Sequence, residues 1–431
     1  MKRYKVFCLL LILLCWMLAG CSPDLVEIDE EVYALVLGAD ISANNKIKIT
    51  LQYPSYKGSG GGGSGSKSSG GGGGGSREEI GVYEGNIITT VEASSILEGI
   101  NLLNTAVSRQ ISLTHCKLLV FSEELAKQGV EDYLAPMMRY RDMRRIMHVI
   151  VCKGKAESFI KENINTIGES ESKAIELMAT QSLNNGLFPR MTFIDFYRNM
   201  LSPYEQPLTA YAGINDFSKL SSGDEETASP LKIPEGYLPS EVPRKGAARR
   251  ELAGTAIFNG PKMIGVLDSF ETRCMLIIKN QFKRGIVTIE DRKAPGKVIP
   301  LDVRLGRKPV IKGYFENGVP IIDVRVNIEA DLGAIQSRVN YERLSLVEAL
   351  NGQIKEFFEA GLRQTIDKTQ RLNCDVFGFG EYIAGNFSTI QELEAYNWKK
   401  HYKDAKVNVT VEANVRRTGL MFGSKPLKSS Q

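Results

Sequence analysis

The segment KPVIKGYFENGVPIIDVRVNIEA (residues 308–330) contains the strongest hairpin signal of the chain. Its central Asn317-Gly318 separates two apolar-rich runs, 308–315 and 319–330, and this dipeptide favours the tight turn that joins antiparallel strands. A long amphipathic helix is predicted soon afterwards, over residues 345–371, because apolar side chains recur there at helical spacing. Together these elements predict a largely antiparallel sheet covered by one long helix in the C-terminal half.

Further strands are predicted on the N-terminal side of this unit. The dense apolar run VYALVLG (32–38) and the alternating segment 46–52 are typical of two strands of a hairpin. ISLTHCKLLVF (111–121) reads as one continuous strand, and Ser95-x-x-Glu98 is a capping box that begins a helix. Additional strands are predicted at 146–152, 208–213, 254–258, 262–267, 286–289 and 297–303. We therefore expect an α+β protein with mixed α/β regions.

The composition divides the chain. With 431 residues it is long enough for two or three domains. Pro230, Pro234, Pro239 and Pro243 stand among polar residues and exclude a regular element there. The predicted organisation is a signal segment 1–20, an N-terminal α/β region 21–214 with a further split near residue 155, a linker 215–248 and a C-terminal α/β domain 249–421.

Residues 58–76 consist of glycine and serine with a single lysine. Glycine loses more backbone entropy than any other residue on folding, and nothing in this segment can offset that loss by burial. A phosphate-binding loop requires a fixed glycine spacing and a Lys-Ser/Thr pair that begins a helix, and this pattern is absent. The segment is predicted to be a solvent-exposed loop or insertion.

The N-terminus carries a secretory signal that ends in Leu18-Ala19-Gly20-Cys21. Three early cations precede an uncharged apolar run, which is too short for the roughly 20 residues of a membrane-spanning helix. These four residues, with cleavage of the signal expected before Cys21, resemble the bacterial lipobox, in which the cysteine thiol receives a diacylglycerol. Cys21 is therefore the predicted lipid anchor, and an uncleaved anchor or an ordinary signal with a chance cysteine are the alternatives. Since no later stretch approaches a membrane span, the mature protein is expected on the extracytoplasmic face of the membrane.

The formal net charge of +4 falls close to zero once the cations of the signal are removed. Such a balance gives no indication of nucleic acid as a partner. Four cysteines remain after the signal and the lipid-bearing Cys21, namely Cys116, Cys152, Cys274 and Cys374. They are widely separated, so two disulfides and four buried thiols are both compatible with the sequence, and buried thiols are favoured.

Motifs of known catalytic chemistry are missing from the sequence. The three histidines, His115, His148 and His401, are scattered, and His115 and Cys116 would point to opposite faces of a strand. No Gly-x-Ser-x-Gly, HExxH or Walker pattern is present. The sequence therefore predicts neither an enzyme nor a metal or cofactor site.

Arg139, Arg141, Arg144 and Arg145 form the one local basic cluster, RYRDMRR. Such a cluster can contact anionic lipid head groups or an acidic partner. The alternative is a solvated face that Asp142 and Glu131 neutralise, and this alternative is favoured by the local charge balance.

The second unusual segment, DVFGFGE (375–381), follows the predicted long helix directly. Gly378 and Gly380 permit backbone conformations or close approaches that other residues cannot adopt. Phe377 and Phe379 need burial, whereas Asp375 and Glu381 supply charge at either end. A tight corner that docks the helix end is favoured over a ligand site.

These segments, taken in order, resemble the Ger(x)C lipoproteins, the C subunits of spore germinant receptors. The resemblance rests on the lipobox, VYALVLGADI, SLTHCKLLVFSEELAK (112–127), DVFGFGE, and Trp398-Lys-Lys followed by VNVTVEANVRRTGL (407–420). It runs from residue 21 to residue 420. Ser-Pro-Asp after Cys21, where many members have an aromatic residue, and the length of the glycine-rich segment depart from the family pattern.

The resemblance implies a non-catalytic role in nutrient sensing by dormant spores. It also implies attachment to the outer face of the spore inner membrane, three α/β domains, and partnership with a membrane-embedded A subunit and a permease-like B subunit. A solute-binding lipoprotein of a membrane transporter is the main alternative function. Such proteins usually alternate strand and helix in two hinged lobes, whereas the second half here begins with a strand meander. A membrane-anchored cell-wall enzyme is a third hypothesis, against which the missing catalytic motifs argue.

Overall fold

The computed structural model describes residues 4, 30–54, 82–83, 86–162, 171–220, 236–337 and 339–418. Cys21 and the glycine-rich segment 58–76 lie outside these residues, so their predicted roles stay predictions. In the described part of the chain, no helix is both long enough and apolar enough to cross a membrane.

The first half of the chain builds a mixed sheet that extends into the second half. Nine strands pair in the order β11-β10-β9-β8-β7-β2-β3-β5-β4, while β1 pairs with β6 in a separate two-stranded ribbon. The strands are β1 (Glu31–Tyr33), β2 (Val36–Ile41), β3 (Ile47–Pro54), β4 (Val82–Tyr83), β5 (Asn86–Ala93), β6 (Gln110–Ser112), β7 (Leu118–Ser122), β8 (His148–Cys152), β9 (Leu208–Ile214), β10 (Arg250–Asn259) and β11 (Lys262–Leu267).

Four central strands of the large sheet, β2, β7, β8 and β9, run parallel, and antiparallel strands flank them. Parallel strands need helical crossovers that cover the sheet faces, and this explains the dense apolar runs of β2 and β7. The helices of this half are α1 (Ile96–Leu103), α2 (Glu123–Gln128), α3 (Glu131–Arg139), α4 (Ala156–Lys161), α5 (Glu171–Asn185) and α6 (Phe193–Leu201). The Ser95 side chain accepts a hydrogen bond from the backbone N–H of Glu98, as the capping box predicts.

The stretch predicted as a linker connects two neighbouring strands of one sheet. β9 ends at Ile214 and β10 begins at Arg250, and the two pair antiparallel from Arg250↔Ile214 to Ile257↔Leu208. β10 therefore continues the nine-stranded sheet of the first half, and most of its residues are buried. The division of the chain at 215–248 stays a prediction. The further split predicted near residue 155 falls between β8, which is a strand of this sheet, and α4, which packs on the same sheet.

Residues 111–121 form two strands, so the single strand predicted there is wrong. β6 and β7 are separated by a turn in which the Cys116 N–H bonds to the Leu113 carbonyl. His115 is exposed and its ring lies 4.5 Å from the ring of Tyr33, whereas Cys116 is buried. The sequence did not indicate this turn, because apolar residues are buried before and after it and the whole segment resembles one strand.

The second half forms a four-stranded sheet in the order β12-β13-β14-β15. Its strands are β12 (Gly285–Glu290), β13 (Val298–Glu316), β14 (Val319–Leu332) and β15 (Lys406–Arg417). The hairpin at Asn317-Gly318 is confirmed: Glu316 pairs with Val319, and both turn residues have positive φ. The strands predicted at 297–303 and 308–315 are one strand, which passes Gly306 and Pro309 through irregularities in its register.

One long helix covers this sheet. The helices of the second half are α7 (Ser269–Ile278), α8 (Leu344–Arg371), α9 (Phe379–Ala384), α10 (Ile390–Tyr396) and α11 (Trp398–His401). The prediction of an amphipathic helix over 345–371 is confirmed by α8, which buries Leu350, Ile354, Phe358 and Leu362 against the sheet and α7. The α+β class, with mixed and antiparallel sheets, is likewise confirmed.

The same helix protects the open edge of β15. Glu359 accepts a hydrogen bond from the Val411 N–H at 3.0 Å, and Asn351 accepts one from the Val415 N–H at 2.7 Å. Arg363 donates to the Val409 carbonyl at 3.3 Å. An edge strand with unpaired backbone groups is a template for pairing with another chain. Here, side chains of α8 form hydrogen bonds with those backbone groups of β15.

Candidate functional site

The segment 375–381 forms a buried corner at the end of α8, centred on the carboxylate of Asp375. Asp375 is 1% exposed. Its Oδ1 accepts hydrogen bonds from the backbone N–H of Phe377 at 3.1 Å and of Gly378 at 3.0 Å. Its Oδ2 accepts from the Gly380 N–H at 2.8 Å and from Trp398 Nε1 at 2.9 Å. Four donors around one carboxylate fix the path of the chain as it leaves the helix.

The two glycines of the corner are needed for different reasons. Gly378 has φ +78, a left-handed conformation that other residues adopt at a cost. Gly380 has no unusual φ, but a Cβ there would collide with the Trp398 indole and lie 2.6 Å from the Tyr204 carbonyl oxygen. Phe377 and Phe379 stack at 4.9 Å between ring centroids, and both are buried.

The corner also joins the two halves of the chain. The Asp375 N–H donates to Oε1 of Gln206 at 2.5 Å, and Nε2 of Gln206 donates to Oδ1 of Asn259 at 3.2 Å. The Cys374 thiol contacts the Phe258 carbonyl at 3.3 Å. The helix end is thereby attached to the loop before β9 and to the end of β10.

Burial raises the pKa of Asp375, and the hydrogen bonds from Trp398 and Gly380 act in the opposite direction. Each oxygen of the Asp375 carboxylate accepts two hydrogen bonds from protein donors. The Glu381 side chain is exposed at the surface. The corner thus leaves no polar group of Asp375 for a ligand. Its arrangement is that of a structural joint.

The four arginines of the basic cluster separate in the structure. Arg139 ends α3 and is exposed, as are Arg141 and Arg145, whereas Arg144 is half-buried. Within the described ranges, none of the four forms an ion pair with Asp142 or Glu131. Arg144 lines a cleft of about 410 Å³, to whose lining the other three do not contribute.

That cleft, called here the Arg144 cleft, is strongly cationic. Its charged lining comprises Arg144, Lys117, Lys173, Arg190 and Glu176, with His148 between them. Glu176 pairs with Lys117 at 2.5 Å and with Lys173 at 3.7 Å. Arg144 and Arg190 have no carboxylate partner among the residues that the structure describes. Burial and the nearby Arg190 lower the pKa of His148, so this histidine adds no charge at neutral pH.

Aliphatic side chains stand beside these cations. Ile146 is 60% exposed and Leu177 is 50% exposed, and both line the Arg144 cleft. The cleft lies at the edge where the parallel strands begin, since β7 starts at Leu118 and β8 at His148. β2 starts at the same edge, so the chain enters the large sheet on this side. Exposed cations with interspersed aliphatic groups are suited to an anionic, amphipathic surface.

The opposite edge of the sheet carries a second cleft, of about 440 Å³, at the carboxyl ends of β2 and β7. Such edges often bind ligands in α/β proteins. Here two of the carboxylates already have partners. Asp40 accepts from the N–H groups of Ala156 and Glu157 at the start of α4. Glu123 accepts from the Tyr211 hydroxyl and pairs with Lys127. Asp40 and Glu123 therefore serve the fold.

Metal and thiol chemistry in the described ranges depends on clustered metal ligands and on accessible thiols. No three His, Cys, Asp or Glu side chains cluster there in a way that could hold a metal ion. Cys116, Cys152, Cys274 and Cys374 are free and buried, in agreement with the favoured interpretation of the sequence. Burial raises the pKa of the Cys116 and Cys274 thiols to about 12, which removes the thiolate needed for reactivity.

Several residues of these sites were not identified from the sequence. Lys117, His148 and Arg190 are far apart in the chain. Lys117 and His148 meet because the parallel strands β7 and β8 begin side by side, and Arg190 joins them because Thr192 bridges to His148. Gln206 lies 169 residues from Asp375, and no local pattern indicates their contact. A polar, titratable residue inside an otherwise apolar run, namely His148 in IMHVIVC (146–152), is the one signal that could have pointed to the Arg144 cleft.

Two family models match the chain in consecutive parts. The first, described as "Spore germination protein N-terminal domain", matches residues 24–214. The second, described as "Spore germination B3/GerAC like, C-terminal", matches residues 253–419.

Individual proteins with spore germination names are similar over long stretches. The spore germination protein GerQC of Bacillus cereus is 20% identical, with 97% of this chain and 99% of that protein covered. The spore germination protein KC of Bacillus subtilis (strain 168) is 23% identical, with 79% and 80% covered. The crystal structure of the GerBC protein superimposes with a TM-score of 0.48 at 14% identity, covering 88% of this chain and 96% of that one.

Proposed function

This chain belongs to the GerAC-like family of spore germination proteins, and from this premise we propose that it is the lipid-anchored C subunit of a nutrient germinant receptor. The observation that carries the proposal is the match of both family domains, in order, to residues 24–214 and 253–419. The subunit acts without catalysis, as a folded body held beside a membrane-embedded A subunit and a permease-like B subunit.

The proposed anchor is a diacylglycerol on Cys21, which holds the protein on the extracytoplasmic face of the spore inner membrane. Glu30, where the described fold begins, lies nine positions after Cys21, and a chain of this length reaches at most about 30 Å. The folded body must then lie close to the lipid surface. The Arg144 cleft supports an orientation with the starting edge of β2, β7 and β8 towards that surface, because its unpaired cations attract anionic head groups.

The described fold differs from the two-lobed arrangement that is expected of a solute-binding lipoprotein. Solute-binding lipoproteins place their ligand between two hinged lobes, each with its own sheet. Here one nine-stranded sheet runs through the division between the two halves, and the Asp375 corner attaches the second half to it.

The decisive experiment is germination of spores that lack the gene. Spores of the deletion strain, with redundant receptors also removed, are exposed to amino acids, sugars and nucleosides, and release of dipicolinic acid is followed. We expect loss of the response to at least one nutrient and its return with the wild-type gene. An unchanged response to every nutrient would exclude the receptor role.

The anchor is tested separately with Cys21→Ala, and Ser22→Ala is the matched control next to it. Labelled palmitate should enter the wild type and Ser22→Ala but not Cys21→Ala. The unlipidated variant should leave the inner-membrane fraction while keeping a folded ectodomain. If Cys21→Ala sediments with the membrane as before, protein contacts and not lipid hold the subunit there.

A further inference from the structure

The guanidinium of Arg273 is a buried positive charge without a carboxylate partner. Arg273 is 8% exposed and lies on α7, all of whose residues are buried. Its Nε and Nη2 both donate to one backbone oxygen, the Asn185 carbonyl, at 3.3 and 2.8 Å. Its Nη1 donates to no described residue, and no Asp or Glu of the described ranges pairs with it.

This arrangement compensates the charge only in part. Asn185 is the last residue of α5, so its carbonyl carries part of the negative end of the helix dipole. Burial lowers the pKa of Arg273 to about 10, which still leaves the side chain charged at neutral pH. A buried cation normally has an anionic partner, because its desolvation is otherwise unfavourable.

Arg273 lines a cleft of about 430 Å³ between the two sheets. β10 and α7 contribute Leu252 and Phe270, while β12, β13 and α8 contribute Val287, Val298 and Phe357. Among the residues that the structure describes, the polar side chains of the lining are hydroxyl groups, such as that of Thr288, and Arg273 itself. None of the described lining residues is acidic, and none besides Arg273 is a cation.

We propose that this cleft binds a small molecule that carries a single carboxylate on an apolar body. A guanidinium matches a carboxylate in charge and planar geometry, and the apolar walls fit an aliphatic or aromatic remainder. A zwitterionic amino acid would bring an ammonium group for which the lining offers no acidic partner. A phosphate would bring a second charge for which the lining offers no second cation.

The site goes beyond the receptor role, because it would exist in the isolated protein whatever that protein assembles with. Both sheets form its walls, so an occupant would contact the two halves at once. Binding is therefore expected to stabilise the protein against unfolding in proportion to the affinity.

The test is isothermal titration of the full-length protein, purified in detergent, with hexanoate. Hexanamide, hexylamine and norleucine are matched probes of the neutral, cationic and zwitterionic classes, and detergent alone gives the blank. We expect saturable binding of hexanoate, at least tenfold weaker binding of hexanamide and norleucine, and none of hexylamine. Equal binding of hexanoate and hexanamide, or no hexanoate binding at millimolar concentration, would overturn the proposal.

Two variants locate the site. Arg273→Met removes the charge and should weaken hexanoate at least tenfold while sparing hexanamide. Because Arg273 also caps α5, Thr288→Trp provides a second variant that fills the cleft and leaves Arg273 in place. Thr410→Trp, the same substitution on an exposed position of β15, is the control and should bind as the wild type does. Hexanoate binding unchanged in folded Thr288→Trp would place the ligand elsewhere and refute the site.

Discussion

Nε1 of Trp398 donates a hydrogen bond to Oδ2 of Asp375 at 2.9 Å, and both side chains are almost completely shielded from solvent. The residues lie on either side of α9 and α10, so this contact closes the corner over the end of α8. It also brings together two segments, DVFGFGE and Trp398-Lys-Lys, on which the family resemblance rests. Their shared structural role is to hold the second half of the chain on the first.

The closing contact is tested by Trp398→Phe. The variant leaves one oxygen of a buried carboxylate without its donor and should lower the free energy of unfolding by about 2–3 kcal/mol. Urea denaturation followed by circular dichroism measures the loss. Tyr396→Phe, in the same region but only partly buried, should change stability far less. Equal effects of the two variants would mean that the hydrogen bond is unimportant.

Replacement of glycine by alanine should change stability in opposite directions at Gly380 and at Gly352. Gly380→Ala forces a methyl group into the Trp398 indole and the Tyr204 carbonyl and should destabilise by more than about 2 kcal/mol. Gly352→Ala, in the middle of α8 with no atom within 4 Å of the new methyl group, should stabilise by about 0.5–1 kcal/mol. Thermal unfolding of both variants distinguishes them, and a shift of the same sign in both would contradict the geometry.

Removal of the side chains that protect β15 should expose an associating edge. Asn351→Ala combined with Glu359→Ala frees the N–H groups of Val411 and Val415. We expect concentration-dependent dimers or larger species in light scattering after size exclusion, together with a loss of about 1 kcal/mol per hydrogen bond. Lys355→Ala, an exposed change on the same helix, should stay as monodisperse as the wild type. A monodisperse double variant would show that the edge is protected by other means.

The Arg144 cleft predicts a position-dependent affinity for anionic membranes. In the Cys21→Ala background, Arg144→Glu should weaken binding to phosphatidylglycerol vesicles by about fivefold for each unit of charge that the substitution changes. Sedimentation with the vesicles measures this binding. Arg139→Glu changes the net charge equally but lies outside the cleft, so it should have a smaller effect. The difference should vanish with neutral phosphatidylcholine vesicles. If both variants lose the same affinity, net charge and not the cleft determines binding.

The buried thiols predict slow reaction with thiol reagents. Because burial raises the pKa of Cys116 and Cys274 to about 12, raising the pH from 7 to 9 leaves both thiols protonated and unreactive. Folded protein should therefore react with Ellman's reagent no faster at pH 9 than global unfolding allows. In urea, all four of Cys116, Cys152, Cys274 and Cys374 should react. Fewer reactive thiols in urea without reductant would indicate disulfides.

Local chemistry made several elements predictable from the sequence. The turn at Asn317-Gly318 follows from two residues that tolerate positive φ, and α8 follows from apolar residues repeated at helical spacing. The start of α1 follows from Ser95, which accepts from the Glu98 N–H, and from Glu98, whose side chain accepts from the Ser94 N–H. Each of these features depends on residues close together in the chain, so a single sequence contains the required information.

Only the tertiary structure decided how these elements combine. β10 and β11 follow the predicted linker 215–248 in the chain, and β10 pairs with β9 in the sheet of the first half. Gln206 contacts Asp375, Arg144 and Arg190 line the same cleft, and Arg273 donates to the Asn185 carbonyl. Each pair consists of residues that are far apart in the chain. Composition and periodicity describe what each segment requires, namely burial, a turn or a cap. Which distant segment meets that requirement depends on packing, and packing is a property of the whole chain.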